Sequence, residues 1–208
     1  MEQLYLNHCK IQGTGAAALF SSLQKGCILH LLNVSNNAVR SAKSTMAALM
    51  TFLMHAAALE FFYIDECKIS NPGGVAIGDA LIKGSRVLNI SARENEIGDE
   101  GARKIAVGIE TNAKIRSLNL SKNNINDAGG ELIARSLLRN ESLGCLDISY
   151  NNLRMSTAAV IQNSIKSNCT IAKICLQGNT VLAPQLAAIT HVLQKNKENR
   201  IKKKAEDL

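Results

Sequence analysis

One pattern recurs seven times along this chain and leaves room for a single kind of architecture. Aligned to itself, the sequence matches L-x-x-L-x-L-x-x-N/C-x-L at MEQLYLNHCKI, LHLLNVSNNAV, LEFFYIDECKI, VLNISARENEI, IRSLNLSKNNI, LGCLDISYNNL and IAKICLQGNTV. The Asn/Cys position falls on Cys9, Asn37, Cys67, Asn95, Asn123, Asn151 and Asn179, at intervals of 28, 30, 28, 28, 28 and 28 residues. A fixed period of this length marks a solenoid. Each unit is too small to bury its own apolar face, so neighbouring units must stack. The aromatic share of 3%, with no Trp, suits a core of Leu, Ile, Val and Ala built in near-identical layers.

Each column of the repeat has a physical reading. In the L-x-L stretch, alternate side chains point to opposite faces of a strand, so the Leu-type residues enter the core and the x residues face out. The Asn that ends the strand carries an amide able to donate and accept at the turn. Cys fills the same slot as a small hydrophobe with a weak donor. The second half of each repeat reads as helix. Small residues stand six positions past the Asn/Cys (Gly15, Gly73, Gly101, Gly129), and apolar pairs follow four residues apart: Leu19/Leu23, Ile77/Leu81, Ile105/Ile109, Ile133/Leu137, Ile161/Ile165 and Ile189/Leu193. That spacing keeps each pair on one helix face. Asp99, Asp127 and Ser156 stand where N-caps are expected, and Pro72 sits where a first-turn proline would.

Repeats of this length, with the helix segment IGDEGARKIAVGI and mixed Cys and Asn at the turn, resemble leucine-rich repeats of the ribonuclease-inhibitor type. The resemblance covers the chain from Met1 to about Lys195 and is specific for fold rather than function. It implies an α/β horseshoe, with parallel strands on the concave face and helices on the convex face. It also implies an intracellular protein-recognition role, as in ribonuclease inhibitor, the Ran GTPase activator, innate-immune sensor arrays and axonemal regulatory subunits. The tryptophans of ribonuclease inhibitor and the long acidic tail of the Ran activator are absent here. On this basis residues 1–194 form the array, with repeats starting near 1, 29, 59, 87, 115, 143 and 171, and 195–208 form a basic helix end or tail.

The ends and the second repeat are irregular. Met1 already occupies the first Leu position, with no polar cap before it, so either the chain begins inside a longer array or a partner covers that end. The second repeat has two extra residues and an almost wholly apolar helix. Placing Leu49 and Leu53 inward leaves Phe52 and Met54 on the outer flank beside Ile82. Ordinary helix packing and a convex docking patch are both open readings there. The net charge is +7, and the tail contributes Lys195, Lys197, Arg200, Lys202, Lys203 and Lys204 against Glu198, Glu206 and Asp207. The expected setting for it is a solvated cap, with an acidic partner as the alternative.

The outward columns locate the expected working surface. Tyr5, Leu31, Phe61 and Tyr63 group on the N-terminal strands, edged by Asp65, Glu66, Arg93 and Glu94, with Lys122 and Tyr150 further along. Aromatic anchors inside a polar rim are what a protein-binding hot spot requires. The expected ligand is a basic or amphipathic segment of a protein partner.

Catalytic sets are missing. The histidines (8, 30, 55 and 191) form no metal-ligand spacing, and there is no GxSxG, P-loop or GxGxxG. Neither an enzyme activity nor a cofactor or metal is expected, and without interleaved aromatics in the basic tail specific nucleic-acid binding is not expected either. No apolar stretch reaches the ~18 residues of a membrane span. The first residues do not form a secretory signal. Six cysteines without a CxxC pair read as small buried thiols in a reducing compartment. The N-x-S/T triplets at Asn33, Asn89, Asn119, Asn140 and Asn168 read as accidents of the repeat rather than sugar sites. The functional expectation is a cytoplasmic scaffold or adaptor subunit, with a cytoskeletal or ciliary complex as a setting. A regulatory subunit for a GTPase or other enzyme is the alternative, with Arg40 as its candidate loop arginine.

Overall fold

The computed structural model describes residues 2–24 and 28–206, with side chains to residue 198. Met1, Cys27, Asp207 and the side chains of Arg200, Lys202, Lys203, Lys204 and Glu206 lie outside the described residues, so the expectations placed on them stand apart. Among the described residues, seven strands alternate with seven helices. The strands are β1 (Gln3–Tyr5), β2 (Leu31–Asn33), β3 (Phe61–Tyr63), β4 (Asn89–Ser91), β5 (Ser117–Asn119), β6 (Cys145–Asp147) and β7 (Lys173–Cys175). The helices are α1 (Gly13–Ser22), α2 (Lys43–His55), α3 (Ser70–Ile82), α4 (Asp99–Thr111), α5 (Asp127–Ser136), α6 (Met155–Ser167) and α7 (Ala183–Glu206).

The strands form one parallel sheet in sequence order, and the register matches the sequence columns at every step. Gln3, Leu31, Phe61, Asn89, Ser117, Cys145 and Lys173 make one row; Tyr5, Asn33, Tyr63, Ser91, Asn119, Asp147 and Cys175 make another. Between sheet and helices lies a continuous apolar core. Leu32, Phe62, Leu118 and Leu146 supply it from the strands, and Ile77, Ile105, Ile133 and Ile161 from the helices, all fully buried. Each such side chain contributes about 1.5–3 kcal/mol relative to exposure. The tightest seam joins α3 to α4, where the backbones touch. A Cβ added at Gly78 would sit 2.5 Å from the Lys104 carbonyl carbon, and one at Gly74 2.8 Å from Gly101 Cα. Glycine at these two positions is what lets the layers close.

The turn asparagines form a ladder that stitches each repeat to the one before. Asn95 Oδ1 accepts from the Cys67 and Ile69 amides, while its Nδ2 donates to the Ile64 and Arg93 carbonyls. Asn123 repeats the scheme on Asn95, Ile97 and Ala92. Where Cys67 replaces Asn, its Sγ donates weakly to the Val34 carbonyl, at 3.2 Å. Burial pushes that thiol up to about 11, so it stays protonated and serves as this weak donor.

A second ladder, outside the columns of the leucine motif, runs along the helix ends. Asn112, Asn140, Asn168 and Asn196 recur every 28 residues. Asn140 Nδ2 donates to the Ile109 and Asn112 carbonyls, and its Oδ1 accepts from the Ser142 and Leu143 amides. Asn168 and Asn196 bond the preceding repeat in the same way. Two of the five N-x-S/T asparagines are thus buried structural amides. The last ladder residue, Asn196, lies beyond the expected array limit at 194, and α7 runs unbroken across it.

The helix N-termini correct the expected caps. Asp99 and Asp127 are the first residues of α4 and α5 and make no cap bond to their own helix. Each serves the next repeat instead. Asn71 Oδ1 accepts from the Gly98 and Gly101 amides of α4, Asp99 Oδ1 from the Asn126 and Gly129 amides of α5, and Asp127 Oδ1 from the Arg154 amide and the Thr157 hydroxyl beside α6. These bonds hold Asp127 below the usual carboxylate range against the opposing effect of its desolvation. Ser156 is the second residue of α6, not its cap. Packing of adjacent repeats brings orphan amides within reach of the previous helix, which a reading of one repeat alone does not reveal.

Candidate functional site: the open sheet face and its turn edge

The open face of the sheet carries the outward columns, and the structure keeps the expected anchors together. Leu31 and Phe61 are register partners in the first row, both half-buried. Tyr63 flanks Asn33 and Ser91 in the second row, and Tyr5 stands on the other side of Asn33, 58% exposed. An apolar strip with phenolic tips therefore crosses β1 to β3. Beyond β3 the same rows carry Asn89, Ser117, Ser91 and Asn119, which offer little apolar area. Tyr150 is 54% exposed, but repeats four and five separate it from the strip, and its ring packs over Gly178.

The acidic rim differs from the expectation. Asp65 is half-buried, with its Oδ1 accepting from Ser91 Oγ at 2.6 Å and the Arg93 amide at 2.8 Å. Burial raises its pKa, and the two hydrogen bonds and the Arg93 charge oppose that rise. Arg93 reaches Glu66 at 3.1 Å and Glu94 at 3.0 Å, and Lys122 reaches Glu94 at 3.2 Å. Arg93 and Lys122 thus offset part of the charge of the three rim acids. The columns gave the residues correctly but not their pairing across 27 or 28 positions.

The turn that follows each strand is unusual in its backbone. The position before the ladder residue is left-handed in every repeat, and only the seventh uses glycine there, Gly178 at φ 73. The others are His8, Asn36, Glu66, Glu94, Lys122 and Tyr150, with φ between 52 and 58. Lys10, Arg40, Lys68, Ser70 and Glu96 share this conformation nearby. Non-glycine residues adopt it at a cost of roughly 1–2 kcal/mol, so side chains are being presented here in place of the unstrained choice. The two extra residues of repeat two fall in this turn: α2 starts six positions after Asn37, whereas α4, α5 and α6 start four positions after their ladder residues. Arg40 lies in that enlarged turn, exposed.

The convex patch does not form as expected. Phe52 is fully buried, stacking on Phe20 at 5.7 Å and meeting Phe62 edge-on at 6.1 Å. Position 52 lies within about 60° of Leu49 around a helix of 3.6 residues per turn, well inside a core-facing arc. The corresponding positions in other repeats hold Ala80, Gly108, Ser136 and Ser164. Those small residues hide the fact that the column points inward. Met54 is half-buried against the core, and of the three only Ile82, 37% exposed, stands at the surface.

The thiols depart from the expectation too. The five cysteines among the described residues are free, with Cys67 buried, Cys145 and Cys175 half-buried on the sheet face, and Cys9 and Cys169 exposed. Burial, with the Asp147 carboxylate nearby, raises the Cys175 thiol, the opposite of what activates a nucleophile. Among the described residues no cluster of three or more His, Cys, Asp or Glu could hold a metal ion, and no helix is long and apolar enough to cross a membrane.

Known proteins place the architecture. A family model described as Leucine Rich repeat matches residues 1–20, 93–106 and 111–134. No curated protein matches the chain. Among solved structures, the fold is similar to the actin-binding site 2 of leiomodin-1, with a TM-score of 0.61 and 19% identity over 92% of this chain and 93% of that one. It is also similar to the tropomodulin C-terminal domain of Caenorhabditis elegans, with a TM-score of 0.68 and 17% identity over 77% of this chain and 98% of that one. The fold is that of a leucine-rich-repeat α/β solenoid.

Proposed function

We propose that this chain is a non-catalytic protein-binding scaffold or adaptor, which holds a segment of a partner protein across β1 to β3. The observation that carries this reading is the strip of Tyr5, Leu31, Phe61 and Tyr63, set in register on a sheet whose next two strands carry small polar residues in the same rows. Each anchor is half-buried or more open in the free chain and gains burial when covered, and aromatic residues in such strips dominate binding energies. The cytoskeleton is the favoured setting within the cytoplasm, since one of the similar folds is named as an actin-binding site. The ciliary setting draws no support from these likenesses.

The test is quantitative capture of partners from cell extract by the wild-type chain and by Phe61→Ala with Tyr63→Ala. The double variant should keep its melting temperature to within a few degrees and lose its principal partner. Retention of every partner at wild-type yield would reject the reading. A regulatory role toward a GTPase is the second reading. It is favoured by Arg40, an exposed arginine in the enlarged turn of repeat two, since a GTPase activator presents a loop arginine to the nucleotide. GTP hydrolysis by a captured GTPase, unaltered by the chain, would remove that alternative.

A further inference from the structure

The strained turns converge on one feature that the sheet-face reading does not use. A groove of about 650 Å³ runs along the edge where the strands end, lined across five repeats by residues that include His8, Lys10, Arg40, Lys68, Glu94 and Glu96. Its charges are sorted along its length. Of the acids that line it, Glu66 of repeat three and Glu94 of repeat four pair with Arg93, Glu94 also with Lys122, and Glu96 of repeat four accepts a hydrogen bond from the Ser70 hydroxyl. Toward repeats one to three stand Lys10, Arg40 and Lys68, all exposed. Among the described residues no ion pair involves any of these three. All three are held in the left-handed conformation, at φ 57, 57 and 55.

We propose that this groove end, walled by Lys10, Arg40 and Lys68, is a docking site for an acidic peptide segment of a partner protein. Three unpaired cations in a concave, rigid channel raise the local concentration of anionic groups, and low-dielectric walls focus that field. Adjacent repeats are about 4.8 Å apart at the sheet, so the three cations span roughly 10 Å. Three or four residues of extended peptide, at about 3.3 Å each, cover that distance. A run of carboxylates at successive or alternate positions therefore meets one cation per repeat. The enlarged turn of repeat two supplies Arg40, whose planar guanidinium can take a carboxylate bidentately between two lysines. Binding here is independent of the apolar strip on the sheet face, so the two sites fail separately.

The test is fluorescence anisotropy of a fluorescein-labelled hexaglutamate peptide on the full chain at 50 mM salt. Asparagine tolerates the left-handed backbone, so Lys10→Asn with Arg40→Asn and Lys68→Asn removes charge without adding strain. That triple variant should bind at least tenfold more weakly. A control triple, Arg86→Asn with Lys114→Asn and Arg116→Asn, empties a basic pocket at the other end of the strands and removes the same three units from the net +7. It should stay within twofold of wild type, as should Phe61→Ala with Tyr63→Ala, and circular dichroism melts should show every variant folded. Saturable wild-type binding lost only in the first triple supports the proposal. Equal loss in both triples would assign the binding to bulk charge and overturn it. So would absence of saturable binding by the wild type, or equal competition by an oligothymidylate of matched charge.

Discussion

Replacing Phe52 with alanine separates a buried aromatic keystone from a surface apolar residue. The side chain is fully buried and contacts both Phe20 and Phe62, which meet each other at 6.3 Å. Truncating a buried Phe costs about 3–5 kcal/mol in transfer and cavity terms. Each lost aromatic pair adds roughly 0.5–1.5 kcal/mol of coupling, part of it already inside the first figure. The expected loss is about 4 kcal/mol. With a urea slope of about 1–3 kcal/mol/M, the midpoint should fall by roughly 1.3 M or more. Because repeats contact only their neighbours, the damage should be local. Hydrogen exchange should show lost protection in α1, α2 and β1 to β3, with α4 to α6 retaining theirs. The exposed control Ile82→Ala should cost less than ~1 kcal/mol. A Phe52→Ala loss no larger than that control would refute the burial argument.

Three further outcomes follow from the bonding. Asn140→Ala removes the side-chain donor to the Ile109 carbonyl and the acceptor of the Ser142 and Leu143 amides, leaving the Asn112 carbonyl to the Ser142 hydroxyl alone, and should cost about 2–4 kcal/mol in a denaturation titration. Gly78→Ala should destabilise by at least ~2 kcal/mol, because its new Cβ has only the Lys104 backbone to push against, whereas Gly144→Ala, whose nearest neighbour lies at 3.6 Å, should be tolerated. Asp65 has a folded pKa raised above 3.8, so the folded state binds the extra proton and stability contributed at low pH is lost as pH rises through the folded value. Urea midpoints from pH 3.5 upward should therefore fall for the wild type relative to Asp65→Asn; a rise would reverse the assigned sign.

Much of the fold was legible because one period governs it. The columns predicted the strand register, the inward helix pairs and the role of the turn asparagines, each of which repeats at fixed spacing. What escaped lies between repeats or departs from the common column. Asp99 caps the following helix, a bond visible only once α4 and α5 are packed. Phe52 occupies a column of small residues, so nothing in its neighbours showed that the column faces the core. The second asparagine ladder did carry a signal, since Asn112, Asn140, Asn168 and Asn196 share the 28-residue period, but it sits outside the leucine motif. On the sheet face, sequence alone placed the aromatic strip and its acids. It could not place Arg93 between Glu66 and Glu94, a pairing that forms only when the repeats stack.

Site-specific photocrosslinking with the captured partner tests the central claim most directly. A benzophenone side chain at Tyr63 or Phe61, on the sheet face, is compared with one at Leu132, 38% exposed on helix α5. The account predicts covalent adducts to the partner from positions 61 and 63 and none from position 132. Adducts from position 132 alone would place the working surface on the helices and contradict it.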